Sequence, residues 1–385
     1  MASKKIPLIV LVQSFLSEKF DFRYNEVLGR TEFRFKSLEE DVFRKMREYD
    51  FNSIHKMLSE EELACSIGTL RRILQSSYVP KYNPFIDYLG NLPKWDGETD
   101  FIDLLSATIE TTDNEFFQIA FRKWFVALTG SLLKDEVINH TFLIFTGGQG
   151  IGKTTWFNNL IPQQLSEYYY TGVINPNNSD SKIQLAENML INIDELQGLS
   201  YKGIEDLKAL VTTKEVKVRR PYASIHELLP HRASFSGSSN SADFLNDATG
   251  NRRFLCFETS AINNQHNISI DNVFSQAVHL FNNGFRYWFN QEEINMINKN
   301  NEQFKTNSLE EDALLAHLTP CAEDDPDACF GSASAITKLL GTLDSKLRIY
   351  NATAQRMGRF LTKYGFLKIK RNGVYGYLYK FKKRE

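Results

Sequence analysis

Cysteine is scarce. The chain has only Cys65, Cys256, Cys321 and Cys329 in 385 residues, with no CxxC pair and no histidine at zinc-finger spacing. This excludes a disulfide-framed secreted scaffold and a zinc-ribbon protein. Cys321 and Cys329 share an acidic stretch where a metal site or disulfide is conceivable, but two free thiols suit a cytosolic chain better. Long hydrophobic runs are also missing. "IPLIVLV" (Ile6 to Val12) follows Lys4 and Lys5 like a signal peptide, yet it is too short to span a membrane and has no small-residue cleavage site. It reads as buried strand or helix of a cytoplasmic protein without a membrane partner. Internal repeats and low-complexity segments are absent as well.

What is present is an ordinary globular composition, 42% hydrophobic and 24% charged, in a chain long enough for two or three domains. The net charge of −2 is unevenly spread. From Gly331 onward thirteen basic residues face only Asp344 and Glu385, a surplus that favours a polyanionic partner.

Pattern divides the chain into five stretches. Residues 1–82 read as a small α+β domain, with a hairpin around Leu28-Gly29 and helical spacing in "SLEEDVFRKMREY". Residues 83–135 open with an aromatic connector rich in Pro and Gly and continue as a buried helix. Residues 136–290 alternate short apolar strands ("TFLIF", "MLINID") with helices, the pattern of an α/β core. Residues 291–330 read as an exposed helix and acidic linker. Residues 331–385 read as two helices and a hairpin turning at Asn372-Gly373, which together make a winged helix. Arg356, Arg359 and Lys363 share one face of its second helix, and Lys370 and Arg371 lie on the wing, so this module is expected to bind DNA.

The sharpest motif is "TGGQGIGKTTW". Gly147-x-x-x-x-Gly152-Lys153-Thr154 follows an apolar strand and precedes a helix. In such a loop the backbone N–H groups of Gly147, Gly148, Gln149, Gly150, Ile151 and Gly152 cradle phosphates. Lys153 reaches the β- and γ-phosphates, and Thr154, with Thr155 beside it, presents a hydroxyl for Mg²⁺. The implied cofactors are ATP and Mg²⁺.

Such a site needs a strand-end carboxylate, and "NMLINIDEL" supplies Asp194 for the metal and Glu195 as the base for the attacking water. "SFSGSSN" ends another strand-like stretch in Asn240, an amide suited to sensing the γ-phosphate. "DATGNRRF" carries Arg252 and Arg253, either of which can serve as the arginine completing a neighbour's site in a ring ATPase. Between Glu195 and Asn240 a hairpin-like segment holds Lys217, Arg219, Arg220, His226, His231 and Arg232. Its cations are suited to gripping single-stranded DNA in a pore. Arg220, before Pro221, could equally be a structural ion-pair partner.

The ordered set "NPFIDYLGNLPKWDG", "GGQGIGKTTW", "INIDEL", "VRRPYA" and "SGSSNSADFLNDATGNRRF" resembles the virulence-associated E (VapE-like) P-loop family of mobile genetic elements. That family is related to superfamily 3 AAA+ helicases. The resemblance covers about residues 83–290. It implies an ATP-driven, DNA-acting motor, usually a homo-hexamer, working in replication beside a primase. It makes Lys153 and Thr154 the Walker A residues, Asp194 and Glu195 Walker B, Asn240 sensor 1, and Arg252 or Arg253 the finger. Family members often carry threonine where this chain has Ser238 or Ser239. No acidic cluster or zinc knuckle marks a primase site in this chain.

The expected architecture is therefore α/β: an AAA+ P-loop NTPase core with a helical collar, a small N-terminal α+β domain and a C-terminal winged helix. The expected function is an ATP-dependent DNA helicase or replication initiator. The alternatives are an ATP-gated DNA-binding switch that does not unwind, and an origin-binding regulator in which the ATPase only assembles the oligomer.

Overall fold

Aromatic residues at every second position shape the N-terminal layer. Phe20, Phe22 and Tyr24, with Phe33 and Phe35 across from them, project to one side and share an apolar face. The computed structural model describes residues 6–37, 42–175, 178–194, 196, 201–220, 225–241, 245, 251–305, 309–344, 353–371 and 373–382. Here helix α1 (Leu8–Lys19) leads into β1 (Phe20–Asn25) and β2 (Arg30–Phe35), an antiparallel hairpin whose turn holds Gly29 at φ 63°. β3 (Arg44–Lys45), α2 (Glu48–Glu60), α3 (Ile67–Leu74) and β4 (Lys81–Tyr82) follow, giving a sheet in the order β3-β2-β1-β4.

Two expectations change here. The helix expected from Ser37 begins only at Glu48, because Arg44 and Lys45 pair with Phe33 and Glu32 as an edge strand; residues 38–41 lie outside the described residues. Ile6 to Val12 is helical from Leu8 but is not buried as a whole. Val12, Phe15 and Leu16 face the sheet, while Ile6, Leu8, Ile9, Val10 and Leu11 reach solvent. Helical periodicity lets one stripe pack, and this sheet covers only that stripe.

The aromatic connector contains capped helices. Asn83 Oδ1 accepts from the Phe85 and Ile86 N–H groups to start α4 (Pro84–Gly90), and Asp100 starts α5 (Phe101–Ser106) through the Asp103 N–H. β5 (Ile109–Thr111) and α6 (Asn114–Leu133) come next, and α6 is buried along most of its length. Phe117, Phe121, Trp124 and Phe125 of α6 pack with Phe145, Trp156 and Phe157, all at most 1% exposed. Each such ring stabilises the fold by about 1.5–3 kcal/mol.

Against this helix lies the main sheet. Its elements in order are β6 (Phe142–Thr146), α7 (Lys153–Asn159), β7 (Tyr169–Thr171), α8 (Ser179–Glu187), β8 (Leu190–Ile193) and α9 (Tyr201–Val211). The hairpin β9 (Glu215–Val218) and β10 (Glu227–Pro230), then β11 (Ser234–Ser239), β12 (Phe254–Ile262), α10 (Ile270–Asn282) and α11 (Gln291–Asn301) complete this part. The six strands run β5-β12-β6-β11-β8-β7, parallel except for β5 at one edge. Strands β6, β8 and β11 are buried at every residue, as strands covered on both faces must be. The small residues of β11 admit this crowding: a Cβ on Gly237 would stand 2.7 Å from the Ile193 carbonyl.

The chain divides into two compact units, 1–242 with 250–301, and 302–385 with 243–249. The second unit holds α12 (Leu309–His317), β13 (Leu318–Thr319), β14 (Cys329–Gly331), α13 (Ala333–Leu343), α14 (Thr353–Lys363), β15 (Lys368–Arg371) and β16 (Val374–Phe381). Two helices and a hairpin thus stand where their patterns indicated, with Gly373 at φ 81° in the turn and Asn372 outside the described residues. The unit starts well before Gly331. Leu314 and Leu318 from the stretch read as linker are buried with Ile336, Leu340, Met357 and Leu361, so that stretch supplies part of the core.

Candidate phosphate-binding site and basic surfaces

Parallel strands that end together bring the motif residues together. β6 runs into the loop 147–152, where Gly147, Gly150 and Gly152 have φ of 144°, 83° and 94°. Side chains at two of these positions would collide with neighbours, the Thr259 carbonyl at Gly147 and the Asn264 amide at Gly152. Gly148, Gln149 and Gly150 form the exposed crest. Lys153, only 6% exposed, donates to the carbonyls of Gly147 and Gly148, both at 2.8 Å, and to Asn240 Oδ1 at 3.1 Å. Burial presses its ammonium below the usual lysine range, and the Asp194 carboxylate partly offsets this.

Asp194 follows β8. Its Oδ1 accepts from Thr154 Oγ1 at 2.9 Å, Ser238 Oγ at 2.8 Å and Asn192 Nδ2 at 3.1 Å. Asn192 is held in turn by Ser236 Oγ at 3.0 Å. β11 lies between β6 and β8, with Ser239 opposite Thr146 and Gly237 opposite Ile193. Asn240 therefore emerges beside the glycine loop and Ser238 beside Asp194. The structure thus brings together Lys153, Thr154, Asp194 and Asn240. Thr155 lies exposed on α7, and Glu195 is outside the described residues.

Sequence reasoning missed four supports. Asn192 and Ser236 tie the carboxylate strand to β11. Thr259 Oγ1 donates to the Thr146 carbonyl at 2.8 Å, and Asn264 Nδ2 to the Gly152 carbonyl at 3.1 Å. Asn192, inside "NMLINIDEL", and Ser236, inside "SFSGSS", lay within motifs already singled out; Thr259 and Asn264 did not.

Arg252 and Arg253 lie at the other end of the sheet. They form the turn before β12, where Phe254 is opposite Phe142, the first residue of β6. Five residues of strand separate that level from Gly147, about 16 Å at the usual rise, which exceeds the reach of an arginine side chain. Burial, with Arg253 and Lys214 nearby, holds the adjacent His140 imidazole below its usual range.

The basic hairpin divides. Lys217 and Arg219 are exposed. Arg220 turns into the protein: it pairs with Glu187, lies 3.4 Å from Glu227, and donates to the Val27 carbonyl at 2.9 Å in the β1–β2 turn. Gly29 leaves room for it, since a Cβ there would stand 2.7 Å from the guanidinium. His231 and Arg232 are buried, Arg232 being paired with Asp135 at 2.9 Å.

The basic face of α14 is likewise partly engaged. Arg356 pairs with Glu310 at 2.5 Å and Lys363 with Glu311 at 2.7 Å, both acids lying on α12. Arg371 sits 3.6 Å from Glu323. The acidic counterweight missing from residues 331–385 thus comes from just before them. Arg359 and Lys370 are exposed.

A parallel α/β domain with a glycine loop, a lysine, a strand-end aspartate and a strand-end asparagine at one end of its sheet is the class of protein defined here. The chain belongs to the virulence-associated protein E-like domain family, whose pattern matches residues 89–306. Among curated proteins none matches significantly. Similar solved structures include the apo C-terminal region of NrS-1 (305–718), at 11% identity and a TM-score of 0.49, covering 98% of this chain and 100% of that one. Another form of that region aligns at 12% identity and a TM-score of 0.42 over the same shares. No helix among the described residues is long and apolar enough to cross a membrane.

Proposed function

We propose that this chain is an ATP-hydrolysing, DNA-acting motor of the AAA+ type that serves replication of a mobile element, as its family membership suggests. The observation that carries this is the meeting of Lys153, Thr154, Asp194 and Asn240 at the ends of three adjacent parallel strands. The donor set fits Mg²⁺ and a triphosphate: a glycine loop with no room for a side chain at Gly147 or Gly152, one buried ammonium, and a hydroxyl hydrogen-bonded to a carboxylate. Bound Mg²⁺–ATP would supply the phosphoanhydride bond and a Lewis acid at its terminal oxygens.

The protein's own groups do the rest. Lys153 exchanges its carbonyl partners for phosphate oxygens. Thr154 and Asp194 hold the metal, and Ser238 and Asn192 orient Asp194. Asn240 orients the attacking water, and Glu195 takes its proton. Arg252 or Arg253, out of reach of its own loop, completes the site of the next copy in a ring, in keeping with a homo-hexamer.

On this reading residues 83–135 form the collar, and Lys217 and Arg219 on the β9–β10 hairpin grip single-stranded DNA in the pore. The C-terminal unit acts as a winged helix on duplex, a separate protein provides any primase activity, and the site of action is the cytoplasm. Strand displacement on forked DNA tests the reading. ATP-dependent unwinding by the wild type that is lost in Lys153→Ala is expected. DNA-stimulated turnover without unwinding on any loading geometry would leave an ATP-gated binding switch instead.

A further inference from the structure

The wing carries an aromatic residue that its fold does not use. In β16, Tyr375, Tyr377 and Tyr379 occupy alternate positions and so share a face. Tyr377 and Tyr379 are 7% and 9% exposed, and the Tyr377 hydroxyl donates to the Gly358 carbonyl of α14 at 3.2 Å. Tyr375 is 63% exposed, because the hairpin continues past the helices that cover the other two. Its hydroxyl has no partner among the described residues.

Two lysines flank that ring. Lys370 is directly opposite Tyr375 and Lys368 opposite Tyr377, so both stand on the same face. Their ammonium groups lie 5.3 and 5.5 Å from the Tyr375 ring centre. Arg359, exposed on α14, is one residue on from Gly358. No acidic residue occurs in α14, β15 or β16. Gly376 faces the opposite way, where a Cβ would stand 2.6 Å from the Phe330 ring, so Phe330 covers the back of the hairpin at that level. A flat, exposed ring with two cations beside it matches a nucleic acid with an unpaired base: the ring offers a stacking surface and the ammonium groups meet the adjoining phosphates.

We propose that the wing is a junction-reading element, in which Tyr375 stacks on the first unpaired base of a DNA fork while Lys368 and Lys370 hold the adjoining phosphates. This deepens, and rests on, the reading of the chain as a DNA-acting motor. The interior of a duplex would engage the lysines but offer the ring no open base face.

The test uses the full chain with fluorescent forked, blunt-duplex and single-stranded DNA, and 2-aminopurine at the first unpaired position. Tyr375→Ala is expected to weaken fork binding about ten- to hundredfold, the range of one lost stacked base, with blunt-duplex binding within about twofold. Tyr375→Phe should restore it. Quenching of 2-aminopurine by the wild type should vanish in Tyr375→Ala. Lys368→Gln and Lys370→Gln should each lower the salt slope by about 0.7–0.9 on every form of DNA. Equal effects of Tyr375→Ala on fork and blunt duplex, or none on either, overturn the proposal and leave the motor reading standing. Failure of the wild type to bind any DNA overturns both. Because Tyr375 is exposed, an unchanged melting temperature is expected for each variant.

Discussion

The amide oxygen of Asn240 accepts from the Lys153 ammonium at 3.1 Å, although 87 positions separate them in the chain. They meet because β11 pairs with β6 so that Ser239 lies beside Thr146, and each strand then delivers its next residues to the same edge. On the proposed reading, the group that would report on a terminal phosphate is thus held by the group that would bind it. Lys153→Ala is expected to reduce ATP turnover at least about a hundredfold, and Asn240→Ala by about ten- to a thousandfold with nucleotide affinity less affected. Phosphate-release kinetics with equilibrium nucleotide binding checks both. Turnover in Lys153→Ala above a tenth of wild type would remove the loop from the chemistry.

Arg252 and Arg253 stand one strand-length from their own glycine loop. A mixture of Lys153→Ala chains with chains lacking the responsible arginine should therefore recover turnover that neither variant has alone. Each active interface would pair an intact loop with an intact arginine. Titrating one variant into the other while following phosphate release identifies which arginine acts. Absence of recovery with both arginines would place the site within one chain.

Arg220 is 11% exposed and its partner Glu187 26%. Arg220→Ala strands a largely enclosed carboxylate whose proton affinity burial already raises, and is expected to cost about 3–5 kcal/mol. Gly29→Ala should cost less, about 1–2 kcal/mol from the left-handed backbone alone, with more if the guanidinium must move. Urea unfolding followed by tryptophan fluorescence measures both. Lys217→Ala and Arg219→Ala should leave stability unchanged and weaken DNA binding. The reverse pattern would return Arg220 to the DNA-binding surface.

His231 should make the fold acid-sensitive. Its Nδ1 donates to the Thr213 carbonyl at 2.6 Å, while Nε2 is buried without a hydrogen-bond partner among the described residues. Burial holds the imidazole below its ordinary value, so the folded protein keeps it neutral where the unfolded chain would protonate it. The stability from this neutral ring is fully present above the unfolded value, about pH 6.5, and is lost as pH falls through the lower folded one. Melting temperatures should therefore decline from about pH 6.5 downward, and His231→Gln should flatten that decline whatever its effect at pH 8. An unchanged slope would assign the acid loss to other groups.

On α14, Arg359 is exposed while Arg356 and Lys363 are paired to Glu310 and Glu311. Arg359→Gln should lower the salt slope of duplex binding by about 0.9 with no change in melting. Arg356→Gln and Lys363→Gln should lower stability first, because Glu310 and Glu311 are buried. Equal losses of affinity from all three, with folding intact, would restore the whole face as a DNA contact.

Much of the site was legible in the chain because its groups act at strand ends. "TFLIF", "MLINID" and "SFSGSSN" each show an apolar or small-residue run followed by the residue that matters, and each forms a strand of the sheet. The hairpin around Gly29 and the helices and hairpin after Gly331 were legible for the same reason: their periodicity is local. The start of α2 was not, since Arg44 and Lys45 are drawn into an edge strand by Phe33 and Glu32 of the preceding strand.

By itself, then, the sequence determined which residues are chemically fit for phosphate and which stretches become strands and helices, since those properties reside in neighbouring residues. The tertiary structure alone decided which cations remain available. Arg219 and Arg220 are adjacent, as Arg356 and Arg359 are nearly so, yet one of each pair is spent on a carboxylate from a distant element. A long, flexible cation is equally at home on a phosphate or on a buried acid, and only folding decides which acid comes within reach.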